Sequence, residues 1–191
     1  MKIVVVGAGA LGGLLGSFFI RGGHHVAFVE KDGAIVDAVR ERGLAYEGGS
    51  GEIRHPAAID VSPPKNLLAD GIFLCVRHGD VMGALDEVAG AVNDKTSILS
   101  FQDGVGAVPL VTARYGPSRA FAATTDLGAT HHEPGHILHT GWGRRSSRPS
   151  QKRVSTPPRI SPPRSRRPGS KRAPFRTWRA LSGRERPCCA V

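Results

Sequence analysis

Residues 1–30 order a strand, a glycine turn, a helix and a second strand that ends in an acid, and few folds accept that order. Ile3-Val4-Val5-Val6 is a short β-branched run, and Gly7-Ala8-Gly9-Ala10-Leu11-Gly12 follows at once with the spacing G-x-G-x-x-G. Glu30 closes His25-Val26-Ala27-Phe28-Val29, 18 residues past Gly12. A dinucleotide pyrophosphate needs this arrangement. Gly7 permits the tight turn, Gly9 lets the backbone approach the phosphates, and Gly12 lets the helix pack close to the strand. The helix N-terminus then offers free N–H groups and a positive dipole end to the anion.

The stretch Ile3–Ile20 carries no charge and follows Lys2, so it also has the outline of a secretory or membrane segment. Five of its 18 residues are glycine, which is costly in an isolated helix. It runs directly into Arg21-Gly22-Gly23 and another strand. A buried strand–helix unit without ligand is the plainer alternative, and the acid at Glu30 favours the cofactor reading over it.

Charge divides the chain. Residues 1–143 carry 11 Lys/Arg and 15 Asp/Glu, whereas residues 144–191 carry 15 Lys/Arg and one acid, Glu185. The front is therefore an ordinary, mildly acidic segment long enough for one domain, and the basicity lies in the tail. Cys75 sits in an apolar run and is expected to be a buried thiol. Cys188 and Cys189 are adjacent and offer no disulfide framework. No membrane association is expected, and the expected location is the cytoplasm.

Apolar periodicity places a helix at Ala34–Arg42 closed by Gly43, a hairpin of Leu44–Glu47 with Glu52–His55, and a central strand at Ile72–Val76. Asp80 is expected to cap a helix with Val81, Leu85, Val88 and Val92 inward. Ser97–Phe101 is the next strand, followed by the turn Gln102–Gly106, a helix over Leu110–Tyr115, a strand over Ala120–Thr125, and a turn at Pro134-Gly135 into His136–His139. Strands alternate with helices, so the fold class is α/β, a Rossmann-like doubly wound parallel sheet over residues 1–143. Ligands of such sheets sit at the carboxyl ends of the strands. Gly7–Gly12, Glu30–Lys31, Arg77–His78 and Gln102–Gly106 all fall there.

Taken in order, Lys2–Gly12, Phe73–Arg77, Leu99–Gly106, Ala129, Glu133-Pro134-Gly135 and His139-Thr140-Gly141 resemble the N-terminal NAD(P)-binding part of the ketopantoate reductase (2-dehydropantoate 2-reductase) family. The resemblance implies NAD(P)H-dependent reduction of a 2-keto acid, ketopantoate in the named enzymes, on the route to pantothenate and coenzyme A. It implies that Gly7, Ala8, Gly9, Ala10, Leu11 and Gly12 hold the pyrophosphate and that Ala129 lines the cofactor. Arg77 stands where the family has a lysine near the nicotinamide end, which keeps the charge but changes donor geometry. Asp103 stands where the family has an asparagine; an ionised Asp accepts hydrogen bonds but cannot donate them. Lys31 aligns with a basic residue that takes the 2′-phosphate of NADP. Glu30 would instead accept from the ribose 2′-OH of NAD and repel that phosphate. The resemblance points to NADP, with NAD as the alternative.

The family's proton donor is a lysine of a second, helical domain, expected soon after Gly143. Residues 144–191 instead hold 13 Arg, 8 Pro and 8 Ser, a composition that forbids long helices and leaves no core. This stretch is expected to be a disordered basic tail, and its abrupt onset suggests a frameshifted reading frame. No catalytic residue is assigned, Lys152 and Lys171 included. The chain is expected to be catalytically incomplete. The alternative is a non-catalytic NAD(P)-binding module whose tail contacts nucleic acid or an acidic surface. Two further patterns are expected to be incidental. Cys188-Cys189-Ala190-Val191 has the C-a-a-X format. His131, His132, His136 and His139 have no cysteine partner and only Glu133 as a nearby acid, so a metal site is not expected there.

Overall fold

A computed structural model describes residues 1–49, 51–102 and 106–141. The expectations that rest on Asp103 and on the tail lie outside the described residues.

Six parallel strands form the main sheet, in the order β5 (Ala58–Asp60), β2 (His25–Val29), β1 (Lys2–Val6), β6 (Gly71–Leu74), β7 (Ser97–Ser100), β8 (Ala120–Ala122). This is the doubly wound order, with its switch point between β1 and β6. Residues 3–6 are buried on both sides of the sheet, as a central parallel strand requires. Ile3 and Val5 join Phe28, Phe73, Leu99 and Phe121 in one core, under α1 (Ala10–Arg21) and α2 (Gly33–Arg42). Val4 and Val6 join Val29, Ile72, Leu74 and Ile98 in the other, under α3 (Val81–Glu87) and α4 (Ala107–Tyr115). The two-residue alternation of one strand thus supplies both layers.

The hairpin expected over 44–55 is present as β3 (Leu44–Gly48) and β4 (Gly51–His55). It does not stand alone. Strand β3 pairs in parallel with β10 (His136–Gly141), which pairs antiparallel with β9 (Gly128–Glu133), giving a second sheet in the order β4-β3-β10-β9. This sheet forms a wall against α1. A Cβ on Gly13 would stand 2.6 Å from Ile137 Cγ1, and one on Gly16 would stand 2.1 Å from Phe28 Cζ. The helical glycines are where α1 is pressed between the two sheets.

Several boundaries differ from the sequence reading. Strands β6, β7 and β8 end one to three residues early, because beyond Leu74, Ser100 and Ala122 the chain turns outward to line the crevice. Helix α4 starts at Ala107, three residues before the expected start, with Pro109 in its first turn, where a missing N–H costs nothing. Helix α3 stops at Glu87, and Val92 lies half-buried beyond a short 3₁₀ turn. Asp80 does not cap α3. It ends the 3₁₀ turn His78–Asp80 with φ −92° and ψ −6°, whereas a capping side chain needs an extended backbone to reach the second or third amide. The apolar segment 3–20 is divided between β1 and the 12-residue α1. No helix among the described residues is long and apolar enough to cross a membrane.

Candidate functional site

The glycine turn sits at the carboxyl end of β1. Gly7 has φ +92°, the left-handed region that side chains avoid, and its amide donates to Val29 O at 2.8 Å. A Cβ on Gly12 would lie 1.8 Å from Gly7 O, so α1 can start this close to the strand only with glycine there. At Gly9, the N-cap of α1, a Cβ would meet nothing within 4 Å, and no side chain caps the helix. The first turn of α1 therefore faces open space with its N–H groups uncovered by side chains. A bare helix start beside a left-handed glycine is a cradle with the shape and polarity for a pyrophosphate, so the residues present fit the group.

Glu30, at the end of β2, folds back onto this turn. Its Oε2 accepts from Ala8 N at 2.7 Å, and its Oε1 accepts from Lys31 N at 2.8 Å and Asp32 N at 3.0 Å. Asp32 in turn caps α2 by accepting from Ala34 N at 3.0 Å. Lys31 pairs with Asp80 across the cleft mouth. The Asp80 hydrogen bond and then its charge hold the Lys31 ammonium above its usual pKa, with Glu87 and Glu30 adding to the effect.

Two clefts flank the turn. The first, of about 660 Å³, lies between the ends of β1 and β2 and the β6–α3 connection. Glu30, Lys31, Asp32, Arg77, Asp80 and Glu87 are its charged lining, and Cys75 lies on its floor. Cys75 keeps some surface open to the cleft, yet burial pushes its thiol up to about 12. Arg77, which the resemblance put near the nicotinamide end, is instead exposed on this cleft, on the same side as Glu30 and Lys31, because the chain beyond Val76 runs along the cleft that β1 and β2 share with α3.

The second cleft, of about 400 Å³, opens between the start of α1, the end of β7, the start of α4 and the β8–β9 connection. Ala10, Leu11 and Ala129 lie in its walls together with Ser100, Gln102 and Thr124. Gln102 ties two strand ends together, its Nε2 donating to Leu74 O at 2.9 Å and Val76 O at 3.0 Å. Among the described residues, its Oε1 and the Ser100 hydroxyl are buried without a partner.

The structure thus gathers Gly7, Gly9, Glu30, Lys31 and Arg77 around the first cleft and Ala10, Leu11 and Ala129 around the second, while Ala8 and Gly12 line neither and serve the turn itself. The sequence reading placed the Gln102–Gly106 turn at the crevice without giving Gln102 a role, and it missed Asp80 and Ser100 as wall residues. Gln102 was within reach as a strand-end polar residue in a crevice loop; Asp80 was hidden by its resemblance to a cap. Two of the four histidines, His136 and His139, are engaged locally. His136 Nε2 lies 3.0 Å from Glu47, and His139 Nδ1 lies 3.0 Å from the Tyr46 hydroxyl. Among the described residues no cluster of three or more metal-ligating side chains occurs.

The sequence profile described as "Ketopantoate reductase PanE/ApbA" matches residues 3–147. The chain belongs to this family. Among its relatives, the 2-dehydropantoate 2-reductase of Halobacterium salinarum is 28% identical over 145 residues, which cover 75% of this chain and 47% of that protein. The 2-dehydropantoate 2-reductase of Pyrococcus horikoshii is 31% identical over 144 residues, covering 75% and 46%. In three dimensions, the 2-dehydropantoate 2-reductase of Geobacter metallireducens superposes with a TM-score of 0.68 at 25% identity, covering 75% of this chain and 47% of that one. A ternary structure of D-mandelate dehydrogenase with NADH and anilino(oxo)acetate has the same fold, with a TM-score of 0.68 at 22% identity, covering 74% and 46%. The chain spans about half the length of the relatives it matches. Its matched half carries the doubly wound sheet and the glycine turn.

Proposed function

We propose that residues 1–143 are the nucleotide-binding domain of a 2-dehydropantoate 2-reductase-like protein. The domain binds a nicotinamide adenine dinucleotide across the Gly7–Gly12 turn for reduction of a 2-keto acid, ketopantoate by analogy with the named relatives, in cytoplasmic pantothenate biosynthesis. The observation that carries this reading is the cradle itself: left-handed Gly7, Gly12 against Gly7 O, and an uncapped helix start opening onto free space. The amides of Ala10 and Leu11 hold the pyrophosphate. Glu30 and the charged cleft take the adenosine ribose, with Arg77 beside it. Ala129 and the neutral cleft take the nicotinamide end. Asp103, next after Gln102 in sequence, belongs to the cofactor and substrate side by family analogy. The cofactor is NADP or NAD; NADP follows from the family and from Lys31, and Glu30 speaks for NAD.

When bound, the reduced nicotinamide supplies a hydride. The alkoxide that forms on the keto acid needs a proton donor. The described lining of the neutral cleft is apolar, hydroxyl and amide, with no Lys, His, Tyr, Asp or Glu. This lining supports the second part of the reading: the chain binds the cofactor without completing turnover. Titration of the 191-residue chain with NADH and NADPH, followed by cofactor fluorescence, tests the first part. Saturable binding by at least one cofactor is expected, and binding of neither would end the reading. Ketopantoate-dependent oxidation of the same cofactors tests the second part. No turnover above a protein-free control is expected; specific turnover by the purified chain would overturn the claim of incompleteness.

A further inference from the structure

The charged cleft carries four carboxylates, Glu30, Asp32, Asp80 and Glu87, against two cations, Lys31 and Arg77. Lys31, the residue that would greet a 2′-phosphate, reaches instead across the cleft mouth to Asp80. Resting on the reading of this cleft as the adenosine site, we infer that Asp80 and Glu30 together set the cofactor choice, so that the chain takes NAD(H) and rejects NADP(H). Glu30 selects by hydrogen-bond capacity and Asp80 by charge.

A carboxylate offers about four acceptor sites. On Glu30 three are filled by the amides of Ala8, Lys31 and Asp32. The open site is on Oε2, the oxygen already held to the glycine turn through Ala8. A ribose 2′-hydroxyl is a donor and completes the set. A 2′-phosphate at neutral pH brings nearly two negative charges and only acceptors, so it meets the carboxylate with repulsion and no hydrogen bond to return. The backbone amides that might have cradled a phosphate here already hold the Glu30 carboxylate. Asp80 removes the remaining attraction by engaging the Lys31 ammonium and adding its own charge. The pair is exposed, with side chains 68% and 39% accessible, so its own strength is small. Its effect lies in where the lysine is held and in the net charge it leaves at the rim.

The test is a set of equilibrium titrations of the full chain with NADH and with NADPH, at low and at high salt, for the natural protein, Asp80→Asn and Glu30→Gln. The natural protein should bind NADH at least about tenfold tighter than NADPH, with the gap narrowing as salt screens the rim charges. Asp80→Asn should tighten NADPH about threefold and leave NADH within twofold. Glu30→Gln should bring the two cofactors within about threefold of each other, mainly by weakening NADH. Asp80 is a rim residue whose replacement leaves the core intact, so this variant keeps the inference testable even if Glu30→Gln fails to fold. Equal or tighter NADPH binding by the natural protein would overturn the inference and leave the proposed dinucleotide site standing. An unchanged NADH-to-NADPH ratio in Asp80→Asn would overturn the role of Asp80. Binding of neither cofactor would bring down the proposed function itself, and the inference with it.

Discussion

The two clefts beside the glycine turn are built on opposite plans. The adenosine-side cleft is crowded with charge, and its key acid is already committed: Glu30 is held by three amides and Lys31 by Asp80. The nicotinamide-side cleft has no charged group in its described walls, and two of its polar atoms, Gln102 Oε1 and Ser100 Oγ, are buried without a partner among the described residues. Buried polar atoms are normally satisfied. The contrast shows where each task belongs. On the proposed function, recognition of the nucleotide falls to neighbouring loops of one sheet, whereas the side assigned to the reacting ring has a described wall of apolar, hydroxyl and amide groups. A reductase built this way must bring its proton donor from elsewhere.

The substitution with the largest expected effect strikes the turn that both clefts share. Gly12→Ala drives a Cβ into Gly7 O. Backbone can yield there only by moving α1, so unfolding in urea should show a loss of about 1–3 kcal/mol or more, and NADH binding should disappear. Retained binding would mean the turn does not carry the phosphates. Gln102→Leu strikes the neutral side alone. It leaves Leu74 O and Val76 O without their side-chain donor, which should cost about 1–3 kcal/mol in the same assay. The NADH-to-NADPH ratio should stay unchanged, and a shift in that ratio would show that the two clefts are not independent. Arg77→Ala strikes the charged side alone. It should weaken both cofactors several-fold at low salt and less at high salt, with the melting temperature unchanged, because the side chain is exposed. The mildest probe is chemical. Burial raises the Cys75 thiol from about 9 to about 12, so little thiolate is present in the folded state at pH 8.5. Carbamidomethylation mapped to the Cys75 peptide should run at least about tenfold slower than in urea. The same shift favours the folded state below pH 9, and that advantage fades as pH rises from 9 towards 12.

Much of this was legible from residue order. The β-branched run, the glycines and Glu30 are consecutive features whose meaning is local, and all appear where the spacing put them. The parallel, doubly wound class followed from alternation of strands and helices, whereas the short edge strand β5 and strand β9 were not read from the sequence. What the sequence hid depended on distance or on backbone detail. Strand β3 pairs with β10, about 90 residues away, and no local pattern announces that a hairpin will join a second sheet. Asp80 preceded an apolar helical face as a cap would, but a 3₁₀ turn put its backbone in the helical region and left its carboxylate for Lys31. Gln102 is an unremarkable polar residue until β6 and β7 lie side by side and present two carbonyls to one amide. Glu30 was correctly singled out, yet its three amide partners emerge only when the turn after β1 and the end of β2 meet.

The contact of Gly13 with Ile137 bears on the order in which this molecule comes together. Helix α1 is among the first elements to leave the ribosome, but one of its two walls is β10, more than 120 residues later. Until that hairpin arrives, the glycine face of α1 lacks its second wall, and glycines do nothing to hold a helix in isolation. The helix that opens at the nucleotide turn, made first, therefore completes its packing only when β10 is in place. A nascent chain that stops short of Ile137 holds the whole G-x-G-x-x-G sequence and still lacks one wall of the helix that follows it.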